Sequence, residues 1–282
     1  MDPLIPLYVP GDRPDRFDKA MHSPADAIII DLEDAVSAAH KDQARAAAVA
    51  YLSRAHPKPV HVRINHPATP WGAADLAALR DTPPGAVRIP KLESAAEVRA
   101  VAQALASPAQ RAVGLVCLLE SARGVEAAYE IATAHPDVAA IGLGEADLSG
   151  DLGVSGDEAL HYARGRIVVA ARAAELPPPL LSVFPDLADP EGLHESTLRG
   201  RALGFLGRTL IHPRQAEPVL RAFAPRPAEV AAAERLLDAL RDAEALDGGT
   251  LVLPDGRFAD RAMAGAARRT LAVRDALVTL TP

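Results

Sequence analysis

The chain has 282 residues, is 49% hydrophobic and carries a formal charge of −7. That length supports one α/β barrel or two smaller domains with a substantial core. The acidic balance argues against broad nucleic-acid binding, which depends on neutralising phosphates, although a local basic patch for one anionic cofactor is compatible with it. No apolar run reaches the roughly 18–20 residues of a membrane span. Met1-Asp2-Pro3-Leu4 lacks a basic n-region, so no secretion signal is expected. The only cysteine, Cys117, lies inside an apolar run and reads as a small buried hydrophobe. A cytoplasmic location is expected.

In chain order, strand patterns alternate with helix patterns. Leu4–Val9 is a strand candidate, followed by a helical stretch at Arg13–Met21. The next pairs are Ala27–Leu32 with Ala38–Arg54, Val60–Ile64 with Ala73–Leu79, and Val87–Pro90 with Ala95–Leu105. Val113–Leu119 precedes Val125–Ala134, and Ala139–Leu143 precedes Asp157–Ala174. Leu180–Phe184, Gly192–Ala202, Gly204–Leu206 and Arg214–Phe223 complete the series. The helical stretches are rich in Ala, Leu, Arg and Glu, with apolar residues three or four apart. Ser94 and Glu97 have capping-box spacing. Continuously apolar strands suit a parallel sheet covered on both faces. Eight such strands with intervening helices predict a (β/α)8 barrel over residues 1–223. Pro225-Arg226-Pro227 then breaks the pattern. Residues 224–282 predict a helical extension: a helix over Ala228–Leu246, a short strand at Thr250–Leu253, a turn at Pro254-Asp255-Gly256 and a helix over Asp260–Leu277. This tail is expected to pack on the barrel or on a neighbouring subunit.

Five of the strands stop at or near a polar group: Asp31-Leu32-Glu33-Asp34, Arg63-Ile64-Asn65, Lys91, Glu120 and Asp147. In a parallel barrel these collect on the C-terminal rim, where active sites lie. Two carboxylates, Glu120 and Asp147, on adjacent strands suit Mg²⁺, a hard ion that keeps much of its water. The alternative is that each caps a helix or pairs with Arg123, and Glu145 and Asp151 are rival ligands. Arg63 matches a carboxylate with its planar fork. Its partner is either a dicarboxylate substrate or the Asp31–Asp34 cluster. Asp31, Glu33 and Asp34 would then orient metal-bound water or Arg63. Lys91 holds an anion or pairs with Glu93. Arg13, Arg16 and Lys19 form a basic face that binds phosphates or is simply solvated. His212 reads as structural.

Taken together, the motifs resemble the citrate lyase β-subunit family within the HpcH/HpaI aldolase group. The segments that carry the resemblance are YVPGDRPDRFDKA from Tyr8, IIDLEDAV from Ile29, VRIN from Val62, IPKLESAAEV from Ile89, LLESARGV from Leu118, GEADLSGDLG from Gly144, RTLIHPRQ from Arg208 and LPDGRFADRAMAGAARRTL from Leu253. They occur in order across nearly the whole chain. The resemblance implies a TIM barrel binding Mg²⁺ through Glu120 and Asp147, with Arg63 gripping an oxaloacetate-like carboxylate near Glu33 and Asp34. It implies a substrate carried on coenzyme A or an acyl carrier protein, with Arg13, Arg16 and Lys19 at the nucleotide end. It further implies that Asp260, supplied by a neighbouring subunit of a trimer or hexamer, completes the site. The family commonly has Ala-Glu-Asp where this chain has Glu145-Ala146-Asp147, which keeps Asp147 in register. The implied activity is retro-Claisen cleavage of a citryl-like 3-hydroxyacyl thioester to oxaloacetate and an acetyl thioester. Alternatives are a malyl-CoA or citramalyl-CoA lyase or synthase, an aldolase adding pyruvate enolate to aldehydes, and a non-catalytic subunit that binds an acyl carrier.

Overall fold

The computed structural model describes residues 3–107, 112–245, 250–252 and 258–280, with side chains described for 3–107, 112–242 and 263–278. Six strands form one parallel sheet in sequence order: β1 (Leu7–Pro10), β2 (Ile28–Asp31), β3 (Val60–Arg63), β4 (Ala86–Ile89), β5 (Gly114–Leu119) and β6 (Val138–Leu143). A parallel pair needs a crossover, and the connections here carry helices. They are α1 (Phe17–Met21), α2 (Lys41–Leu52), α3 (Pro70–Asp81), α4 (Ala95–Leu105), and the short α5 (Ala122–Glu126) and α6 (Ala128–Ala132). After β6 come α7 (Glu145–Leu152), α8 (His161–Ala173), α9 (Pro190–Leu203) and α10 (Ala216–Phe223). The protein is therefore α/β with a parallel sheet.

Alternation along the strands sorts side chains between two faces. Ile28, Ile30, Val62, Val87, Ile89, Leu115 and Leu119 are buried. On the other face, Ala86, Val116 and Leu118 cluster with Ala140. The same alternation places His61 two residues before Arg63 on β3, and Arg88 lies opposite Arg63 in the β3–β4 register. Cys117, opposite Ile89, is buried, and burial pushes its thiol up to about 12, as befits an inert core side chain.

Four elements differ from the sequence expectation. Leu180–Phe184 and Gly204–Leu206 do not form ladders. The chain there makes single parallel bridges, Leu181 to Arg208 and Leu7 to Leu210, with Leu206 N donating to Pro179 O at 3.0 Å. Pro177-Pro178-Pro179 has no N–H to contribute to a ladder. Gly207, at φ 92°, turns the segment tightly against the Leu4 carbonyl, where a Cβ would stand only 2.2 Å away. The first helix is shorter than expected. Pro14–Arg16 is a 3-10 turn, and only Phe17–Met21 is α-helical. The acidic run after β6, to which the sequence assigns no element, is the helix α7, and it starts directly after Gly144. Ser94 caps α4 as its spacing to Glu97 predicts: Glu97 N donates to Ser94 Oγ at 3.4 Å, and Glu97 Oε2 accepts from Ser94 Oγ at 3.0 Å and from Glu93 N at 2.9 Å.

By contact, the chain divides into two compact units, Asp2–Val219 and Leu220–Pro282. In the second, α11 (Pro227–Ala245) and α12 (Arg261–Leu280) pack through Ala233, Leu236, Leu240, Ala264 and Ala267. The strands β7 (Thr250–Val252) and β8 (Phe258–Asp260) pair antiparallel, with Thr250 opposite Asp260. The expected turn at Pro254-Asp255-Gly256 lies outside the described residues, as does the side chain of Asp260. Among the described residues, no helix is long and apolar enough to cross a membrane.

Candidate active site

Because the strands are parallel and nearly in register, their C-terminal ends deliver Asp31, Glu33, Asp34, Arg63, Lys91, Glu120 and Asp147 to one place. Arg63 closes its fork on Asp31: Nε donates to Oδ1 at 2.7 Å and Nη2 to Oδ2 at 2.6 Å. Its remaining Nη1 lies 3.0 Å from Glu33 Oε2 and 3.2 Å from Asp34 Oδ2. The guanidinium carbon stands 4.8 Å from the Tyr8 ring centroid. Burial disfavours the charged guanidinium, but the hydrogen bonds and charge of Asp31 outweigh it and raise its pKa. Arg63 thus contacts all three carboxylates of the Asp31–Asp34 cluster.

Lys91 has φ 54°, a left-handed conformation uncommon for a residue with a Cβ. Its ammonium donates to Glu33 Oε1 at 2.6 Å. It also lies 3.7 Å from Asp34 Oδ1, 3.9 Å from Glu120 Oε2 and 3.8 Å from Asp147 Oδ2. Glu93, its other candidate partner, instead accepts from Ser121 Oγ at 2.7 Å. Glu33 is itself raised, first by burial, while Arg63 and Lys91 oppose the shift.

Glu120 is 4% exposed, and its Oε2 has no hydrogen-bond partner. Its side chain lies against Gly144, where a Cβ would come within 2.6 Å of Glu120 Cγ. The glycine at the end of β6 is thus what lets the β5 carboxylate turn toward α7. Burial, with the nearby charges of Glu33 and Asp147, pushes the Glu120 carboxyl up to about 8. Asp147, half exposed in the first turn of α7, faces the same ammonium. Five carboxylates thus share the positive charge of Arg63 and Lys91. An excess of negative charge with an orphaned buried carboxylate oxygen fits a divalent cation. Among the described residues no group of three or more His, Cys, Asp or Glu forms a ready-made cage. Two carboxylates are nonetheless enough for Mg²⁺, which keeps several waters.

The rival ligands are occupied elsewhere. Glu145 accepts both prongs of Arg164, at 2.9 and 2.7 Å, and Asp151 accepts from Ala122 N at 2.7 Å. Arg123 reaches Glu93 at 3.6 Å rather than Glu120 or Asp147. At the N-terminus, Arg13 pairs with Asp15, while Arg16 and Lys19 are exposed. His212 Nδ1 accepts from Arg214 N at 3.1 Å and caps a short 3-10 turn, a structural role.

The loop carrying Glu33 is held from behind. Lys41 Nζ donates to the carbonyls of Leu32 and Glu33 at 2.8 and 2.7 Å. Asn65 Nδ2 donates to Leu32 O at 2.9 Å and to the fully buried Asp75 at 2.8 Å. Beside this loop lies an open cleft of about 370 Å³, lined in part by Glu33, Lys91, Lys41, His66 and Trp71. Beneath the site are polar groups that motif reading missed: Tyr8, His61 and Arg88. Arg88 is buried and its Nε is unpartnered. Burial, together with the Arg88 charge, pushes His61 down to about 3, so the imidazole is neutral. A single charge inside the otherwise apolar Ala86–Ile89 run was the available signal for Arg88.

The family model described as HpcH/HpaI aldolase/citrate lyase matches residues 4–213. A (3S)-malyl-CoA thioesterase of Cereibacter sphaeroides is 37% identical over 277 residues, covering 96% of this chain and 94% of that protein. The citrate lyase subunit beta of Leuconostoc mesenteroides subsp. cremoris is 34% identical, with 96% and 92% covered. Among solved structures, the protein CitE from Mycobacterium tuberculosis, in complex with magnesium, acetoacetate and coenzyme A, superposes with a TM-score of 0.80 at 34% identity, covering 96% of this chain and 98% of that one. The chain, with its carboxylates, arginine and lysine gathered at the ends of a parallel sheet, belongs to the HpcH/HpaI aldolase/citrate lyase family.

Proposed function

We propose that this protein is a Mg²⁺-dependent carbon–carbon lyase that cleaves a citryl-like 3-hydroxyacyl thioester to oxaloacetate and an acetyl thioester. The single observation that carries the reading is the orphaned, buried Glu120 carboxylate facing Asp147 across a cluster short of positive charge. Glu120 and Asp147 would hold the ion, which supplies Lewis-acid polarisation of the substrate's oxygens. The likeness to a protein solved with magnesium, acetoacetate and coenzyme A supports both the ion and a coenzyme A thioester; an acyl carrier protein is the other carrier considered. The reading takes the sheet as part of a (β/α)8 barrel over residues 1–223, supported by the Leu181–Arg208 and Leu7–Leu210 bridges beyond the six-strand ladder. Residues 224–282 form its C-terminal extension.

The chemistry asked of the side chains is limited. The hydroxyl proton passes to solvent water, the adjacent carbon–carbon bond breaks as the hydroxyl carbon becomes a ketone, and the oxo-acid departs. The electron pair passes to the carbon next to the thioester carbonyl. Arg63, anchored by Asp31, Glu33 and Asp34, presents a fixed positive charge to the oxo-acid carboxylate. Asp260 would return a proton to the enolate carbon, from the same chain or from a neighbour in a homo-oligomer. Arg13, Arg16 and Lys19 would meet the nucleotide end of the carrier. Hydrolysis of the thioester is the second reading, favoured by the likeness to a malyl-CoA thioesterase. Incubation with citryl-, malyl- and citramalyl-CoA, and with citryl on a carrier protein, separates these readings by product. Lyase action yields an oxo-acid and an acyl thioester, and EDTA abolishes it. Free thiol and the intact hydroxy-acid would instead identify a thioesterase. No turnover of any of them would leave the non-catalytic carrier-binding reading.

A further inference from the structure

Lys91 addresses the same carboxylates that the proposed metal would use. Its ammonium lies within 4 Å of both Glu120 Oε2 and Asp147 Oδ2 while hydrogen-bonded to Glu33. A left-handed backbone at Lys91, with Leu92 N donating to Leu118 O at 3.1 Å, turns this side chain inward at the end of β4. Such a conformation is disfavoured for a residue with a Cβ and persists where surrounding contacts over-determine it. Here the four carboxylates supply those contacts.

We infer that Lys91 is a built-in counter-cation that competes with the divalent ion for Glu120 and Asp147 and so sets its affinity. The inference rests on the reading of those two residues as the metal carboxylates. Charges this close repel a second cation and already compensate part of the negative excess that would attract it. Removing the ammonium should therefore tighten metal binding, the opposite of what removing a ligand does.

The test is calorimetric titration of Mg²⁺ into metal-stripped wild-type protein, Lys91→Met and Lys91→Arg, with thermal melts in EDTA and in excess Mg²⁺. Lys91→Met should bind Mg²⁺ about tenfold tighter or more, each tenfold being about 1.4 kcal/mol. It should melt lower than wild type in EDTA and gain more from Mg²⁺. Lys91→Arg, which keeps the charge, should stay near wild type. If Lys91→Met does not fold, Lys91→Gln carries the same expectation. Equal or weaker binding by the neutral variant, while wild type binds, overturns the role of Lys91 and leaves the metal reading intact. No binding by either wild type or the neutral variant removes the metal reading itself.

Discussion

Glu120→Gln should abolish Mg²⁺ binding and lower kcat by roughly 10³-fold or more, the cost of losing a metal ligand that contributes several kcal/mol to the transition state. The substitution is nearly isosteric, so the close packing against Gly144 is kept. It also replaces a buried acid, pushed up to about 8, by a neutral amide. The fold should therefore survive, and the melting temperature in EDTA should be at or above that of wild type. Metal binding carries a proton signature of definite sign. A carboxyl raised to about 8 is largely protonated at pH 7, and a divalent ion needs the carboxylate. Mg²⁺ affinity should thus rise with pH from 6 to 8, and titrations in buffers of different ionisation enthalpy should report proton release. Retention of wild-type Mg²⁺ binding and turnover by Glu120→Gln would show that this carboxylate is not a ligand.

Arg63→Met is expected to have the largest effect on stability. Among the described residues, the guanidinium is the one side-chain hydrogen-bond partner of the Asp31 carboxylate, and it lies 3.0 Å from Glu33. Asp31 and Glu33 are 1% and 6% exposed, so removing the cation leaves Asp31 buried with only the backbone N–H groups of Glu33 and Ala35, and leaves Glu33 to Lys91. Breaking a buried pair on one side costs about 3–5 kcal/mol. At roughly 2–4 °C per kcal/mol, the melting temperature should fall on the order of 10 °C. Arg63→Lys should fall between the two, because a point charge cannot span both Asp31 oxygens. Adding Asp31→Asn to Arg63→Met should recover part of the loss, since the stranded charge is then removed. A melting temperature for Arg63→Met within a degree or two of wild type would show that the Asp31 pairing contributes little.

The extent to which the sequence disclosed this arrangement follows from strand geometry. Apolar runs that end in single polar groups are readable by eye, and parallel pairing brings their ends together. Asp31 and Arg63 are direct register partners, so their meeting follows once β2 and β3 are adjacent. The choice of partner for Arg63 was open, because fork chemistry fits the acidic cluster and a substrate carboxylate equally. Lys91 was harder to read. Its contacts depend on a left-handed backbone that no glycine or asparagine announces. Tyr8, His61 and Arg88 were hidden inside strand-like runs, where a face of the sheet is visible only after register is known. The seventh and eighth strand candidates pair through single parallel bridges rather than ladders, because the Pro177-Pro178-Pro179 run and the tight turn at Gly207 interrupt the pattern of backbone donors, which apolar content does not reveal. The short α7 was missed because its acidic residues and Gly150 look like a loop. Thioester hydrolysis has no motif of its own here and entered only through likeness to a malyl-CoA thioesterase.

The claim on which the rest depends is that Glu120 and Asp147 jointly hold a divalent cation beside an oxo-acid. Crystals grown with Mn²⁺ and oxaloacetate, measured at a wavelength where manganese scatters anomalously, test it most directly. The expected map has one strong anomalous peak within coordination distance of both Glu120 and Asp147, with oxaloacetate oxygens completing its shell on the side of Arg63. A peak elsewhere, or fully ordered oxaloacetate with no metal between these two carboxylates, would contradict it.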